Sequence, residues 1–331
     1  MKNIIISISF ILISVSGISQ QLPQYSQFHR NQVMSNPGAV GAYDFIDITL
    51  GHRHQWLGFN NDVQGNISPR TSYFNVAYKI KPQKVKYNPA ARVSTGPIKA
   101  PKVSTGKAKH AVGLKVITDE YGAFRNNSIN GTYAVHIPLT ADINLSLGTR
   151  VGISNHTFLT EKAQVLSSMT GGPVDQTYEN FISDGFSRMF MDISSGLFLY
   201  SERFFVGITG NQITQDFVSI GSGITNFNPQ RHYDFAAGMY FDINDDLTVM
   251  PALSLKLMTP TPFALQANVQ FEYKEWLWFG TGYRHNDAVI LMVGGNLNER
   301  FKLGYSFDYS TSRFNNFSSG GHEIVLGFMI R

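Results

Sequence analysis

The chain has 331 residues and a formal net charge of +4, with 15% charged and 13% aromatic side chains, 30 glycines and no cysteine. A soluble domain carries about a quarter charged residues, so much of this surface does not face water, yet a mean hydropathy of −0.11 is too polar for a bundle of membrane helices. Without cysteine there is no disulfide framework, zinc ribbon, thiol nucleophile or lipid anchor on an N-terminal cysteine.

At the start of the chain, Met1 and Lys2 precede an apolar run from Ile4 to Val15, and Gly17-Ile18-Ser19 offers small residues to a signal peptidase. The run is shorter than the roughly 20 residues that a membrane helix needs. Residues 1–19 therefore read as a cleaved signal peptide, 20–42 as a periplasmic or luminal segment and 43–331 as the folded unit. No later apolar stretch is long enough to span as a helix, so any membrane crossing falls to strands.

From residue 43 onward the dominant signal has period two. In 143–153, Ile143, Leu145, Leu147, Val151 and Ile153 share one face, and Asn144, Ser146, Gly148, Arg150 and Gly152 share the other. In 263–274, Phe263 to Tyr273 alternate with Gln266, Asn268, Gln270 and Glu272; in 301–310, Phe301 to Tyr309 alternate with Lys302, Ser306 and Asp308. Such segments are strands with one greasy and one wet face, about as long as the 9–11 residues of a membrane-crossing strand. The pattern predicts fourteen strands near 43–54, 71–80, 110–118, 127–137, 143–154, 188–200, 203–210, 232–242, 247–257, 263–273, 277–286, 288–296, 301–310 and 322–331. Fourteen is an even number, as expected of a transmembrane antiparallel β-barrel. A soluble β-sandwich also alternates, with shorter strands.

The connections carry a second pattern. Turns after even-numbered strands are short, and several after odd-numbered strands are long, as at 155–187, 211–231 and 311–321. Outer-membrane barrels have short periplasmic turns and long external loops, so both termini are expected at the short-turn, periplasmic end and the wet face is expected to line the lumen. Tyr43, Trp56, Tyr73, Trp276, Trp278, Tyr283 and Tyr309, near strand ends, resemble interfacial girdles. The parity fails at 258–262 and near Asp287, where external loops would be tight, and at the insert 81–109, which would be periplasmic despite its length. Of the 27 basic residues, nine lie between Lys79 and Lys109, where no acidic residue occurs, leaving 18 basic against 23 acidic residues elsewhere. The excess charge thus belongs to one Pro-punctuated segment suited to an anionic surface or to plain solvation, and an exported protein has no nucleic acid to meet.

The chemistry-bearing residues form no catalytic pattern. Walker, HExxH, GxSxG and EF-hand motifs are absent. His52 and His54 share a strand face without a third ligand nearby, Asp245 and Asp246 sit in a turn, and His156 lacks a serine or aspartate constellation. The sequence points to no enzyme, cofactor or metal.

Pro23, Ser26, Gln27 and Phe28, then Asn36 and Pro37, then Arg53, Gln55 and Trp56 follow a P-x-x-S-Q-F, N-P-A-x-x-G, R-x-Q-W order that resembles the PorP/SprF-like family of Bacteroidota, with Gly38 where alanine is usual. The insert 81–109 and the terminal Ile330-Arg331 depart from that pattern. The resemblance implies a bacterial outer-membrane barrel of type IX secretion that binds, helps export or anchors a surface protein such as a gliding adhesin through its C-terminal secretion domain. Its partners would be that protein, other secretion components and outer-membrane lipid; the alternatives are a solute channel and, less favoured, an outer-membrane enzyme. Phe158, Tyr178, Phe181, Phe186, Phe217, Phe227, Phe314 and Phe317, on the long connections, are the candidate partner-binding residues.

Overall fold

The computed structural model describes residues 23–58, 68–80, 108–163, 172–173, 176, 179, 187–214, 219–220, 230–258, 261–298, 300–316 and 318–330. The strands are β1 (Ile46–His54), β2 (Arg70–Ile80), β3 (Lys109–Tyr121), β4 (Phe124–Pro138), β5 (Asn144–Phe158), β6 (Ser187–Tyr200), β7 (Phe204–Asn211), β8 (Ser219–Ile220), β9 (His232–Met239) and β10 (Phe241–Asn244). They continue with β11 (Leu247–Met258), β12 (Ala264–Tyr273), β13 (Leu277–Arg284), β14 (Ala288–Asn296), β15 (Phe301–Ser310) and β16 (Gly321–Ile330). Every ladder is antiparallel, and β1 pairs with β16 from Ile46↔Ile330 to His54↔His322, which closes the sheet. β9 and β10 both pair with β11 and form one stave interrupted at Tyr240, while β8 is a two-residue ladder on β6; the barrel therefore has fourteen staves. Closure leaves no unpaired edge, which lipid would not tolerate.

Burial runs opposite to that of a soluble protein. On β5, Leu147 and Val151 are 53% and 45% exposed, whereas Ser146 and Arg150 are 0% and 1% exposed. The same inversion holds on β14 and β15, where Leu291 and Tyr309 face outward and Ser306 and Asp308 are buried inside. Apolar side chains outside and polar ones inside are what a hydrocarbon solvent selects.

The staves coincide with the fourteen periodic segments, with ends shifted by a few residues. The end of β5 lies four residues beyond the expected one, at Phe158, and the β3–β4 hairpin is extended by three residues on each strand: it runs to Tyr121 and resumes at Phe124 across a two-residue turn at Gly122, whose φ is +57°. Alternation fades between 118 and 127 because outward Thr118, Glu120, Arg125 and Asn127 are polar, yet the ladder continues through them. Three of the girdle expectations are corrected. Tyr43 belongs to the chain before β1 and stacks on buried Phe45. Tyr73 and Trp278 have luminal parity and are buried, at 4% and 2% exposure, whereas Trp276, Tyr283 and Tyr309 do face outward.

The wet face meets the chain's own N-terminal segment. Residues 23–45 run through the barrel as a luminal segment with a 3-10 turn at Phe28–Arg30, a helical turn at Gln32–Ser35 and a second 3-10 turn at Pro37–Ala39. The segment enters beside Lys256 near the long-loop end of β11, where Lys256 Nζ donates to Pro23 O at 2.9 Å, and leaves at the short-turn end, where Asp44 pairs with Lys79 of β2. The expectation that both termini sit at the short-turn end is thus corrected for the N-terminal side: the described chain begins toward the long-loop end.

An arginine in place of Leu291, outward on the central part of β14, is expected to cost about 2–4 kcal/mol by the depth rule for lipid-facing charge, while Leu291→Met costs under about 1.5 kcal/mol. Reversible denaturant unfolding in bilayers checks this; equal tolerance of both would contradict a lipid contact at Leu291.

Candidate functional site

The site is the interface between the luminal segment and the barrel wall, and it centres on Ser26. Ser26 is fully buried, and its Oγ donates to the Asp308 carboxylate of β15, with both oxygens within 2.8 Å. The same oxygen accepts from Arg53 Nη1 of β1 at 2.6 Å and from Arg284 Nη2 of β13 at 3.0 Å. Ser26 N–H donates to Glu323 Oε2 of β16 at 2.7 Å, and its carbonyl accepts from Gln266 and Asn268 of β12 at 3.0 and 2.9 Å. The charges close among themselves: Arg53 pairs with Asp308 at 2.7 Å and Glu323 at 3.3 Å, and Arg284 with Asp308 at 3.0 Å and Asp287 at 2.8 Å. Buried ions of this kind are tolerable only when paired and hydrogen-bonded.

Below this node each stretch of the segment has its own partners. His29 is buried with Nε2 against Gln270 Oε1 at 3.0 Å and Nδ1 against Asn268 Nδ2 at 3.0 Å, an arrangement satisfied by one neutral tautomer, with Nε2–H donating and Nδ1 accepting. Burial, and secondarily the Arg30 charge, push the His29 pKa down to about 3, against the opposing Gln270 hydrogen bond. The Arg30 guanidinium lies 4.2 Å over the Trp278 ring and 3.8 Å from Glu272. The carbonyls of Val33 and Met34 accept from Arg150 at 2.6 and 3.2 Å, and Lys115 Nζ donates to Met34 O at 3.1 Å, so wall cations cap the end of the helical turn. Tyr25, Phe28, Val33, Met34, Ala39 and Val40 meet Tyr73, Phe198 and Met250 of the wall in one apolar cluster.

Asn36 and Pro37 organise the exit. Asn36 Oδ1 accepts from Gly38 N–H at 2.7 Å, which opens the 3-10 turn with proline in its first positions, while Asn36 Nδ2 donates to Leu197 O at 2.9 Å and Ile208 O at 3.4 Å. The wall makes room with glycine: a Cβ on Gly148 would lie 2.3 Å from the Pro37 carbonyl, and one on Gly196 would lie 2.3 Å from Asn36 Oδ1. His136 Nε2 donates to Val40 O at 2.8 Å, and its other ring nitrogen accepts from Tyr200 Oη–H at 2.9 Å. Two voids, of about 10 and 20 Å³, are lined by residues of both the segment and the wall, each with room for about one water.

Of the residues singled out from sequence, Ser26, Gln27, Phe28, Asn36, Pro37 and Arg53 are brought together here, all buried. Gln55 and Trp56 are not: they follow β1 in its connection to β2, where Gln55 N–H donates to Pro69 O at 2.9 Å and Trp56 O accepts from Ser68 Oγ at 3.2 Å. Phe158 ends β5, its ring centroid 5.3 Å from that of Phe124. Phe314 lies in the 3-10 turn Arg313–Asn316, and Tyr178, Phe181, Phe186, Phe217, Phe227 and Phe317 lie outside the described residues. His156 is luminal and packs on Phe190 at 5.2 Å, and no group of three metal-ligating side chains occurs among the described residues. Asp308, Glu323 and Arg284 were missed as site residues, although a charge on the wet face of a strand was a signal for each.

Residues 17–328 match the family described as type IX secretion system membrane protein PorP/SprF. A comparison with curated protein sequences finds no match. Among solved structures the barrel is similar to the toluene transporter TbuX of Ralstonia pickettii, with a TM-score of 0.51 and 10% identity over 90% of this chain and 92% of that one. It is similar to the Pseudomonas putida toluene transporter TodX to the same degree, with a TM-score of 0.51 and 10% identity over 91% and 93% of the two chains. At that identity the likeness is one of fold.

Removing Arg53 takes from Glu323 its ion partner and from Asp308 one of its two, so Arg53→Met is expected to cost about 3–5 kcal/mol, and Ser26→Ala about 1–3 kcal/mol; unfolding in detergent measures both, and near-neutral outcomes would contradict the node. Acid should act through His29. Its folded pKa lies below the unfolded value, so the unfolded chain binds the extra proton and stability falls as pH drops from about 6.5 toward about 3. His29→Gln should flatten that part of the pH profile, and an unchanged profile would exclude His29 as its source.

Proposed function

We propose that this chain, which belongs to the PorP/SprF family of type IX secretion system membrane proteins, is a closed outer-membrane anchor that holds or hands on a type IX-secreted surface protein. It resides in the outer membrane and works among other secretion components. The further reading is that it neither passes solutes nor performs catalysis. The seating of residues 23–45 in the lumen is the observation that supports it, since Arg53, Gln266 and Arg150 of the wall are hydrogen-bonded to the segment. A partner then meets the barrel at its ends and outer wall, and the long connections after β5, β7 and β15 are the proposed contact surface, with Phe158 and the other loop aromatics as its anchors. Such a partner is a large surface protein, of the adhesin kind, recognised through its C-terminal secretion domain. Export by a signal at residues 1–19 belongs to the same proposal.

The test pairs electrophysiology with surface proteomics. The purified barrel is expected to give no steady conductance in a planar bilayer, and deletion of the gene to deplete one or a few large proteins from the cell surface. Stepwise ohmic conductance from the intact barrel, together with an unchanged surface proteome, would replace the anchor reading with a channel.

A further inference from the structure

One sector of the outer wall departs from the rest. On β1 to β5 the outward apolar run stops in register at Leu50, Phe74, Val116, Ile129 and Ile153, and every outward position beyond it toward the long-loop end of these ladders is polar or charged. The last set of register partners is His54, Arg70, Glu120, Arg125 and Thr157. Here Glu120 gathers three cations: Arg70 at 3.1 Å, Arg125 at 2.7 Å and Lys162, from the turn after β5, at 2.9 Å. One carboxylate against three cations leaves two positive charges in excess. The arginine side chains stay 33% and 38% exposed, so part of each guanidinium reaches the surroundings, although Arg70 Nε is buried. Across the barrel, outward residues at or next to the same ends of β11 to β15 are Leu257, Phe263, Tyr283, Val289 and Tyr309, which are exposed and uncharged. The basic sector is therefore a local feature and no general property of the rim.

We propose that this sector binds the phosphate groups of outer-leaflet glycolipid of the lipid A type. The inference rests on the outer-membrane placement with long connections outward, and is independent of what the barrel anchors. The band sits where the hydrophobic belt gives way to the headgroup layer, at the level of lipid phosphates. Arginine presents a planar fork of donors that matches a phosphate bidentately. Glu120 acts as an internal tether that draws three long side chains into one patch before lipid arrives, which lowers the entropy lost on binding.

The test uses the full-length barrel in detergent, incubated with purified lipid A and analysed by native mass spectrometry, with heat-modifiable migration to confirm that each variant is folded. Wild type should retain lipid A. Arg70→Gln with Arg125→Gln should retain about fivefold less per charge removed, the factor expected for one basic group near an anionic lipid surface. Lys162→Gln lies outside the ladders and carries the test should the double variant misassemble. Arg300→Gln, in a turn at the opposite end, should change nothing. Dephosphorylated lipid A should bind wild type no better than intact lipid A binds the double variant, and inorganic phosphate at equal concentration should not displace the lipid. Retention of lipid A by the folded arginine and lysine variants at the wild-type level would overturn the proposal and leave a protein partner as the occupant. Displacement by inorganic phosphate would overturn it in favour of a free-phosphate site.

Discussion

A closed barrel has an inside, and every polar group on the inward side of its staves needs a partner there. Water supplies those partners in an open pore. In this chain the partner is its own N-terminal segment, and Ser26 marks the tightest point of the fit. One serine hydroxyl and its neighbouring amide groups meet two arginines, two carboxylates and two side-chain amides from five staves. Replacing any one of these leaves a buried polar or charged group short of a partner, which favours this seating of the segment. Buried ion networks contribute little net stability but discriminate strongly between registers, and that is the role that suits this node.

The node also straddles the seam. Arg53 stands on the first strand and Glu323 on the last, directly opposite one another in the β1–β16 ladder, with Asp308 on the strand before. The ladder that makes the barrel a barrel is therefore bridged from inside by the chain segment that precedes it in sequence. Seating of the segment and closure of the sheet reinforce each other, because Arg53 faces Asp308 and Glu323 only once the seam has formed. With the inside occupied, recognition is left to the ends and to the outer wall. The outer wall is not uniform: it is apolar and aromatic along β11 to β15 and basic at the upper margin of β1 to β5.

Most of the fold was legible because the bilayer imposes a two-residue period. Leu147 beside Ser146, or Phe307 beside Ser306, announces both strand and face. The reading failed where another influence displaced lipid. Between Thr118 and Asn127 the outward positions leave the hydrocarbon, the period fades and the β3–β4 hairpin looks like a loop. Trp278 and Tyr73 resemble girdle residues by composition, but from inside the Arg30 guanidinium of the luminal segment lies over Trp278 and Tyr25 meets Tyr73 edge-on. Ser26 and Arg53 stood out through family likeness, whereas Asp308 was legible only as a wet-face strand residue and Arg284 was not singled out. That they meet depends on contacts as many as 282 residues apart in sequence, which no local pattern encodes. The loop aromatics other than Phe158 and Phe314 fall outside the described residues, and their role remains part of the proposal.

The central claim is that the N-terminal segment is seated inside the assembled barrel, and a cross-link tests it most directly. The chain has no cysteine of its own, and Val40 of the segment touches Gly113 of β3, whose added Cβ would lie 3.0 Å from Val40 Cγ1. With Val40→Cys and Gly113→Cys introduced together, oxidation of isolated outer membranes should form an intramolecular disulfide in nearly all of the folded protein, seen as a shift in non-reducing electrophoresis after denaturation. Free thiols at both positions in a barrel that migrates as folded would place the segment outside the lumen and contradict the account.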